Sequence, residues 1–378
     1  MLKIFLTGDN HIGLKYNSHE QAEELKKRRI SAFESMVTKA NEEDCNLFVI
    51  AGDLFQNVRD IAKRDIQVIL GTLSGFRGSV AILPGNHDFY SDDVKLWQDF
   101  RKVMYDYDNL LLLSEYKPYT VTFGEEEAVL YPALCTTLHS APGENNLTWI
   151  KEKDIPQDGR YHIGIAHGAV EGETIDSEGA YFLMRRDELK SIGVDAWLIG
   201  HTHVPFPNDL KQDEYSTGET IFNAGTHVQT DVNCNTDGEC FIITIDEHKT
   251  VRSKKYISGN LHFCRMAVSV SADRMEEQLT SALRELPDDS VVDLILSGSV
   301  SAEEYENRFN ITEDVLGRFL EHTCDLTDLS RRITKEQIEA EYPETSFAAH
   351  LLTALLDEPK EAQLIYDLLN APKGGKRK

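Results

Sequence analysis

Short apolar runs alternate with longer amphipathic stretches through the first two thirds of the chain. The runs are rich in Val, Ile, Leu and Phe, as is typical of buried strands, and the stretches between them repeat apolar residues at helical spacing. Such alternation predicts an α/β architecture in which helices cover sheet strands. The predicted strands are residues 2–7, 46–51, 79–84, 162–167 and 196–201. The helices predicted between the first three strands are 20–43 and 60–76, and the apolar face of the first is Leu25, Ile30, Phe33, Met36 and Val37.

The pattern after the third strand is less regular. Residues 109–135 predict hairpins, and residues 171–188 predict a polar loop that leads into a helix. Two further strands are predicted at 221–226 and 240–246, with a polar loop between them.

The character of the sequence changes near residues 255–262. Two strand-like runs, 261–270 and 290–299, enclose the amphipathic stretch 273–286, which predicts a small separate β-α-β domain. A wholly helical pattern follows from 331 to 370, and the basic end KGGKRK predicts a disordered tail. The predicted division of the chain is 1–254, 255–330 and 331–378.

Composition narrows the class of protein. The six cysteines are scattered without a C-x-x-C pair, which predicts reduced thiols in the cytoplasm. We expect neither a signal peptide nor a membrane span, because no apolar run approaches the roughly 20 residues that a span needs. The formal charge of −25 argues against non-specific adhesion to nucleic acid. It leaves a nucleic-acid substrate open, because bound divalent cations reverse the field locally.

Each predicted strand of the first half ends in Asp, Asn or His. Carboxyl ends of strands gather along one edge of an α/β sheet, where sites are commonly built. Any one of these turns has an ordinary interpretation as a capped or hydrogen-bonded turn. Together they hold five of the 13 histidines, a coincidence that indicates a site. The turns are GDNH (8–11), GDLF (52–55), GNHD (85–88), AHG (166–168) and GHTH (200–203).

The side chains in these turns indicate a metal site. Nitrogen and oxygen donors without thiolate favour Mn²⁺, Fe²⁺ or Zn²⁺. His201 and His203 alternate at the end of a strand, so we expect them to face one side. The candidates are too many for one ion and suit two ions bridged by a carboxylate, the arrangement that promotes in-line phosphoryl displacement. The candidate ligands are Asp9, His11, Asp53, Asn86, His167, His201 and His203.

The order of the five motifs resembles that of the calcineurin-like metallophosphoesterase superfamily. The stretches GDNHIG, AGDLFQN and ILPGNHD, together with NAGT after GHTH, are similar to the SbcD-type nucleases of DNA double-strand-break repair. The resemblance covers roughly residues 1–250 and continues more loosely to the end of the chain. It implies a β-sandwich flanked by helices, a small α/β capping domain that selects DNA ends, and a helical C-terminal segment that docks on an ATPase.

The resemblance also implies residue roles. Asp53 would bridge two metals, and His87 would contact the scissile phosphate while Asp88 orients it. Some family members have His or Asp where this chain has Gln56, which leaves the partner of His87 open. The implied ligand sets are Asp9, His11, Asp53 and His203 for one ion, and Asp53, Asn86, His167 and His201 for the other.

Three functions follow as hypotheses. The leading one is a Mn²⁺-dependent DNA phosphodiesterase, both a double-strand exonuclease and a single-strand endonuclease, that is homodimeric, nucleoid-associated and bound to an SbcC-type coiled-coil ATPase. The alternatives are a metallophosphatase or phosphodiesterase for small substrates, and a DNA-end-binding scaffold. Basic residues that could follow a DNA backbone are Lys15, Arg28, Arg29, Arg59, Lys63 and Arg64. The apolar face that could dock on the ATPase, or on the chain itself, is Phe347, Leu351, Leu352 and Leu355.

Overall fold

The computed structural model describes residues 1–151, 153–172 and 180–370. The chain divides into two compact units, Met1–Leu261 and His262–Lys378. The strands are β1 (Leu2–Thr7), β2 (Leu47–Ala51), β3 (Ser79–Leu83), β4 (Leu110–Leu112), β5 (Tyr119–Phe123), β6 (Glu126–Ala133), β7 (Tyr161–His167), β8 (Ala196–Gly200), β9 (Ser216–Thr217), β10 (Ile221–Asn223), β11 (Glu239–Ile245), β12 (Val251–Ile257), β13 (Phe263–Ser271), β14 (Val291–Val300) and β15 (Glu321–Arg331). The helices are α1 (Ala22–Glu42), α2 (Lys63–Ser74), α3 (Lys95–Met104), α4 (Thr148–Lys151), α5 (Arg186–Ser191), α6 (Met275–Leu283), α7 (Ala302–Leu316), α8 (Lys335–Glu341), α9 (Phe347–Ala354) and α10 (Pro359–Asn370).

The first unit contains two packed sheets. Strand order is β4-β3-β2-β1-β11-β12-β9 in one sheet and β10-β8-β7-β6-β5 in the other. One continuous apolar core contains side chains of both sheets, among them Phe48 and Val49 of β2 and Ile163 and Leu198 of β7 and β8. Strands β1 to β4 run parallel, as do β6, β7, β8 and β10, so their carboxyl ends lie at common edges. The α/β fold class is confirmed.

The seven strands predicted for the first unit are all present with nearly the predicted bounds, except that β10 ends at Asn223 and not at residue 226. The hairpin prediction for 109–135 is only partly right, because β4 pairs in parallel with β3 while β5 and β6 form an antiparallel hairpin in the other sheet. Helix α3 and strand β12 were not predicted. Apolar periodicity identifies a strand, but the partner of an edge strand depends on tertiary packing.

Helix α1 buries four of the five residues predicted for its apolar face, namely Leu25, Phe33, Met36 and Val37. Ile30 is only half-buried, and Arg29 occupies the inward position with 2% exposure. Its guanidinium is therefore unavailable to follow a DNA backbone, and the half-buried Arg28 is bonded to Glu24.

The second unit begins with the predicted β-α-β element. Strands β13, β14 and β15 form a parallel sheet, and α6 and α7 are the crossovers. Strand β15 was not predicted because its polar sequence, EHTCDLTDLSR, lacks an apolar run. The Glu304 carboxylate accepts the backbone amides of Met275 and Ser301, so one side chain caps the first turns of both helices.

The three predicted C-terminal helices are present as α8, α9 and α10. They share a small core that includes Ile338, Leu352 and Ala362, and the Gln363 side chain accepts the backbone amide of Arg331 on β15. Leu352 and Leu355 thus pack within the chain, whereas Phe347 is 77% exposed. The basic tail, 373–378, lies outside the described residues. The three-part division of the chain stays a prediction.

Two predictions about the chain as a whole can be compared with the structure. All six cysteines are free thiols. In the part of the chain that the structure describes, helices are too short or too polar to cross a lipid bilayer.

The Glu43 carboxylate ties three elements of the first unit together. It lies 2.8 Å from the Nζ of Lys3 on β1, 3.1 Å from that of Lys39 on α1 and 3.0 Å from that of Lys254 on β12. Burial raises the pKa of Glu43, but hydrogen bonds from the three lysines outweigh it and bring the pKa to about 2. The charged form of Glu43 therefore stabilises the folded unit.

We expect Glu43→Gln to lower the free energy of unfolding at pH 7 by about 1–2 kcal/mol, a value reduced for solvent screening near the surface. The folded-state pKa lies below the unfolded value of 4.5, so this stability is complete above pH 4.5 and is lost as pH falls toward 2. Urea unfolding across this pH range measures the effect.

Glu42→Gln is the matched control for this prediction. The Glu42 side chain is 63% exposed and lies 3.9 Å from Lys39, so its loss should change stability by less than about 0.5 kcal/mol. Equal effects in the two variants would contradict the role of Glu43.

Candidate metal centre

The predicted ligands lie together where five parallel strands end. Asp9 and His11 follow β1, Asp53 follows β2 and Asn86 follows β3. His167 is the last residue of β7, and His201 and His203 follow β8. Backbone hydrogen bonds join the first two turns, with the amide of Asp9 donating to Gly52 and that of His11 donating to Asp53.

Asp9, His11 and His203 form the first group of donors. Their ligand atoms lie within 4.8 Å of one another, and the Nε2 atoms of His11 and His203 are 3.0 Å apart. Asp9 is fully buried, and His11 is 4% exposed. Two ring nitrogens and a carboxylate facing one point form a donor set that suits a divalent transition metal.

Asp53, His167 and His201 form the second group, also within 4.8 Å. The Oδ1 atom of Asn86 lies 3.0 Å from Nε2 of His167 and 3.1 Å from Nδ1 of His201. Asn86 is thereby placed to add a neutral oxygen to this group.

The Asp53 carboxylate lies between the two groups. Its Oδ2 atom is 3.8 Å from Nε2 of His11 and 3.3 Å from Nε2 of His167. Its Oδ1 atom accepts the backbone amide of His87 at 2.8 Å. The predicted bridging position is therefore where the structure places Asp53, while the ligand roles themselves stay predictions.

Main-chain groups orient the donors. Nδ1 of His167 lies 2.8 Å from the Ala51 carbonyl, which can only accept, so Nδ1 carries a proton and Nε2 is the ring atom that faces Asn86 and Asp53. The backbone amide of His201 donates to the Asp9 carboxylate at 2.9 Å. Outer contacts of this kind fix the tautomer and direction of a ligating side chain.

Burial dominates the electrostatics of the two groups. It lowers the pKa of His11, His203 and His201, the last to about 3, which keeps these rings neutral and able to donate lone pairs. Burial, with repulsion from Asp53, raises the pKa of Asp9 to about 7 although His167 opposes it.

Asp53 and His167 form an oppositely shifted pair. Burial alone raises the pKa of Asp53, but the attraction of His167 outweighs it, and the pKa lies below its usual range. Burial likewise lowers the pKa of His167, and the attraction of Asp53 raises it to about 9. The neutral rings of His11, His201 and His203 beside buried carboxylates fit divalent cations, which would compensate the carboxylate charge and take the place of the proton on Nε2 of His167.

The ligand turns have an unusual backbone. Asp9, His11 and Asp53 have φ of 48°, 46° and 52°, and His201 has φ of 117°, a region that residues other than glycine rarely adopt. Such geometry clusters at functional sites, because the surrounding structure must hold it.

Close approach between turns requires glycine at two positions. A Cβ at Gly52 would lie 2.1 Å from Nδ1 of His167, and one at Gly85 would lie 2.2 Å from Oδ1 of Asp53. Any larger residue would separate the turns that carry the two groups.

Alternation at a strand end predicted that the two GHTH histidines face one side, but they belong to different donor groups. Strand β8 ends at Gly200, and the positive φ of His201 turns the chain, so His201 joins the second group and His203 joins the first. Strand alternation therefore does not decide where these two histidines lie. Their division between the two donor groups is the one that the resemblance implied.

His87 lies beside the two groups, in a cleft of about 470 Å³ that His11 and His203 also line. Its Nδ1 atom is 3.2 Å from the backbone carbonyl of Gln56. The Gln56 substitution therefore leaves this hydrogen bond intact, because a carbonyl is present whatever the side chain.

The predicted pairing of Asp88 with the His87 ring is wrong. The carboxylate of the fully buried Asp88 accepts the backbone amides of Gly85 at 2.7 Å and Phe55 at 3.0 Å. Asp88 thus joins the GDLF and GNHD turns. Burial raises its pKa to about 7, although both of these hydrogen bonds oppose the shift.

Sequence reasoning missed three contacts around the groups. The Thr226 hydroxyl donates to the carbonyl of Asp9, and Arg29 donates to the carbonyl of Asn10. The ring of Tyr181 lies 4.9 Å from that of His201. The signal in the sequence for the contact between Arg29 and Asn10 was an arginine at an apolar position of α1.

Comparison with curated proteins gives a partial match. An uncharacterized metallophosphoesterase, YhaO of Bacillus subtilis (strain 168), is 24% identical over 188 residues, which are 47% of this chain and 42% of YhaO. The match therefore spans less than half of that relative.

Three solved structures, each 12% identical, are also similar. The protein TT1561 of Thermus thermophilus has a TM-score of 0.39, covering 67% of this chain and 97% of its own. A dimetal phosphatase from Danio rerio has a TM-score of 0.36, covering 68% and 98%. The purple acid phosphatase PPD1 from yellow lupin (Lupinus luteus) seeds has a TM-score of 0.35, covering 67% and 53%.

The family match covers the part of the chain that carries the site. Residues 2–205, more than half of the 378 residues, match the model of the calcineurin-like phosphoesterases. This range contains all seven predicted ligands and both donor groups. The chain belongs to the calcineurin-like phosphoesterase family.

Proposed function

We propose that the chain is a Mn²⁺-dependent DNA phosphodiesterase, an exonuclease on double-stranded DNA and an endonuclease on single strands, with a role in DNA repair. The observation that carries the proposal is the pair of adjoining donor groups joined by Asp53, at a cleft that His87 lines. Motif resemblance to SbcD-type nucleases supports the choice of DNA.

Two cations occupy the donor groups in this proposal. Asp9, His11 and His203 hold one and His167, His201 and Asn86 hold the other, with Asp53 shared. When bound, such a pair activates a water and stabilises the charge that develops in phosphodiester hydrolysis.

His87 acts on the phosphate side of the reaction. Its Nδ1–H is held by the Gln56 carbonyl, so Nε2 is the ring atom available to the cleft. When the ring is protonated, Nε2–H donates to a phosphate oxygen or supplies the proton that the leaving oxygen needs. The backbone amide of His87 is bonded to Asp53, which fixes the ring's distance from the donor groups.

Asp88 is a positioning residue. By holding the amides of Gly85 and Phe55, it fixes the turns that carry Asn86 and Asp53 relative to each other.

Local charge supports a polymeric anion as substrate. Lys15 lines the cleft with a half-exposed side chain, although its ammonium lies 3.5 Å from Asp60. Arg59, Lys63 and Arg64 are also exposed, near the GDLF turn in sequence. Positive side chains beside cation-binding groups attract phosphates even where the net charge is −25.

We also propose a homodimer that binds an SbcC-type coiled-coil ATPase and associates with the nucleoid. The apolar side chains suited to docking are exposed ones of α10, with Leu364 61% and Leu368 64% exposed. Exposed apolar residues on one helix are typical of helix-in-groove recognition. We propose these α10 side chains as the docking face in place of Leu352 and Leu355, because those two residues pack inside the chain.

Asp53→Ala and His87→Ala separate metal binding from chemistry. Asp53→Ala is expected to lose bound metal and turnover together, because it removes the oxygen between both groups. His87→Ala is expected to keep its metal and lose about a hundredfold or more in kcat. Metal analysis after gel filtration and single-turnover cleavage of DNA measure the two effects.

His248→Ala is the control for these variants, since the His248 side chain is 82% exposed and lies outside the proposed ligand set. Full turnover in His87→Ala would show that the mechanism assigned to His87 is wrong.

Substrate class is tested with three substrates and Mn²⁺. Linear duplex DNA and circular single-stranded DNA are expected to be cleaved with a far higher kcat/KM than a chromogenic phosphodiester of one nucleotide, because the basic side chains add contacts along a strand. The reverse order would favour the small-substrate hydrolase. DNA binding without cleavage would favour the scaffold.

Docking through α10 is tested by Leu364→Glu with Leu368→Glu. This double variant is expected to lose co-purification with the ATPase and to keep Mn²⁺-dependent hydrolysis, because a charged face is costly to bury. Phe309→Glu is the matched control, being 62% exposed on α7. Retained co-purification of the double variant would place the ATPase contact elsewhere.

A further inference from the structure

A buried arginine lies next to the first donor group. Arg29 occupies the apolar stripe of α1, between Leu25 and Phe33, with only 2% exposure. Burying a guanidinium costs free energy unless its donors are satisfied. The bonds that it makes therefore show where this side chain acts.

The guanidinium joins three separate segments. Nη1 donates to the carbonyl of Asn10 at 2.7 Å, Nε donates to the hydroxyl of Tyr16 at 2.9 Å, and Nη2 donates to the carbonyl of Gln229 at 3.5 Å. All three acceptors are neutral oxygens. The planar fork of arginine suits three acceptors in different directions, which the single ammonium of lysine cannot reach together.

Asn10 stands between two proposed ligands. Asp9 and His11 both have a left-handed backbone, with φ of 48° and 46°. Such a turn needs the surrounding structure to hold it. The Thr226 hydroxyl lies 3.1 Å from the preceding carbonyl, that of Asp9, and 2.9 Å from that of Val228, so its one proton is shared between these two acceptors. Two consecutive carbonyls of the turn are thus fixed, one by Thr226 and one by Arg29.

We propose that Arg29 is a positioning residue for the first metal group, and that its fork fixes the Asn10 peptide so that Asp9 and His11 face one ion. The inference rests on the metal centre of the proposed function. Arg29 is bonded to the Asn10 carbonyl, so in this inference it acts through the backbone between two ligands.

Titration of Mn²⁺ into the metal-free full-length protein tests the inference. We expect two binding phases, and we expect Arg29→Lys and Arg29→Met each to weaken one of them about tenfold, as outer contacts of metal ligands commonly do. Thr226→Val should weaken the same phase, because it releases the neighbouring carbonyl. Electron paramagnetic resonance of bound Mn²⁺ reports the altered site without reference to activity.

Arg28→Met is the matched control, one position away on α1, with the same loss of charge. Arg28 is bonded to Glu24 and to the carbonyl of Asn260, so Mn²⁺ affinity should stay within about twofold of the wild type. Thermal unfolding of each metal-free variant shows whether the fold is retained.

The outcomes are distinct. A wild-type Mn²⁺ affinity in Arg29→Lys would overturn the role of the guanidinium fork, because it would show that a positive charge alone is sufficient. Equal weakening of both phases with a lower Tm of the metal-free protein would overturn positioning in favour of general stability. If the Arg29 variants fail to fold, Tyr16→Phe decides, because it removes one acceptor of the guanidinium. This variant should weaken one Mn²⁺-binding phase, and an unchanged affinity would overturn the inference. A wild-type protein that binds no Mn²⁺ would overturn the metal centre itself.

Discussion

A carboxylate that is almost fully buried, Asp53, is the constraint around which the site is organised. It is 1% exposed, and an unpaired charge at such a position would strongly destabilise the fold. One of its oxygens faces rings from both donor groups, and the other accepts the backbone amide of His87. Three turns must therefore keep fixed distances from one side chain. The shared carboxylate makes the two groups a single site.

The two packed sheets make those distances possible. Parallel strands bring their carboxyl ends to a common edge, and each turn there begins from a strand that is locked in the core. Rigid strand ends can hold a left-handed backbone at Asp9, His11 and Asp53 that a free loop would relax. Glycine at 52 and 85 permits the remaining close approach. Packing free energy thereby stabilises a geometry that is locally unfavourable.

Hydrogen bonds with main-chain atoms orient several side chains and turns of the site. Ala51 and Gln56 direct the rings of His167 and His87 through their carbonyls, and the amides of Gly85 and Phe55 are held by Asp88. Such contacts depend on the path of the backbone and tolerate changes of side chain. This explains how a glutamine can stand at position 56 without disturbing the His87 ring.

The sequence by itself determined the strands and turns that carry the site, helices α1 and α2, and the seven ligand candidates, because apolar periodicity and the polar turn residues are local properties. It also indicated two metals from the number and type of donors. Only the tertiary structure decided which donors meet, since Asp9 and His203 are far apart in the chain and His201 leaves strand geometry at Gly200. The same holds for Arg29 and Asp88. Except for the Tyr16 hydroxyl, their partners are backbone groups, and backbone groups carry no signature in a sequence until the chain has folded.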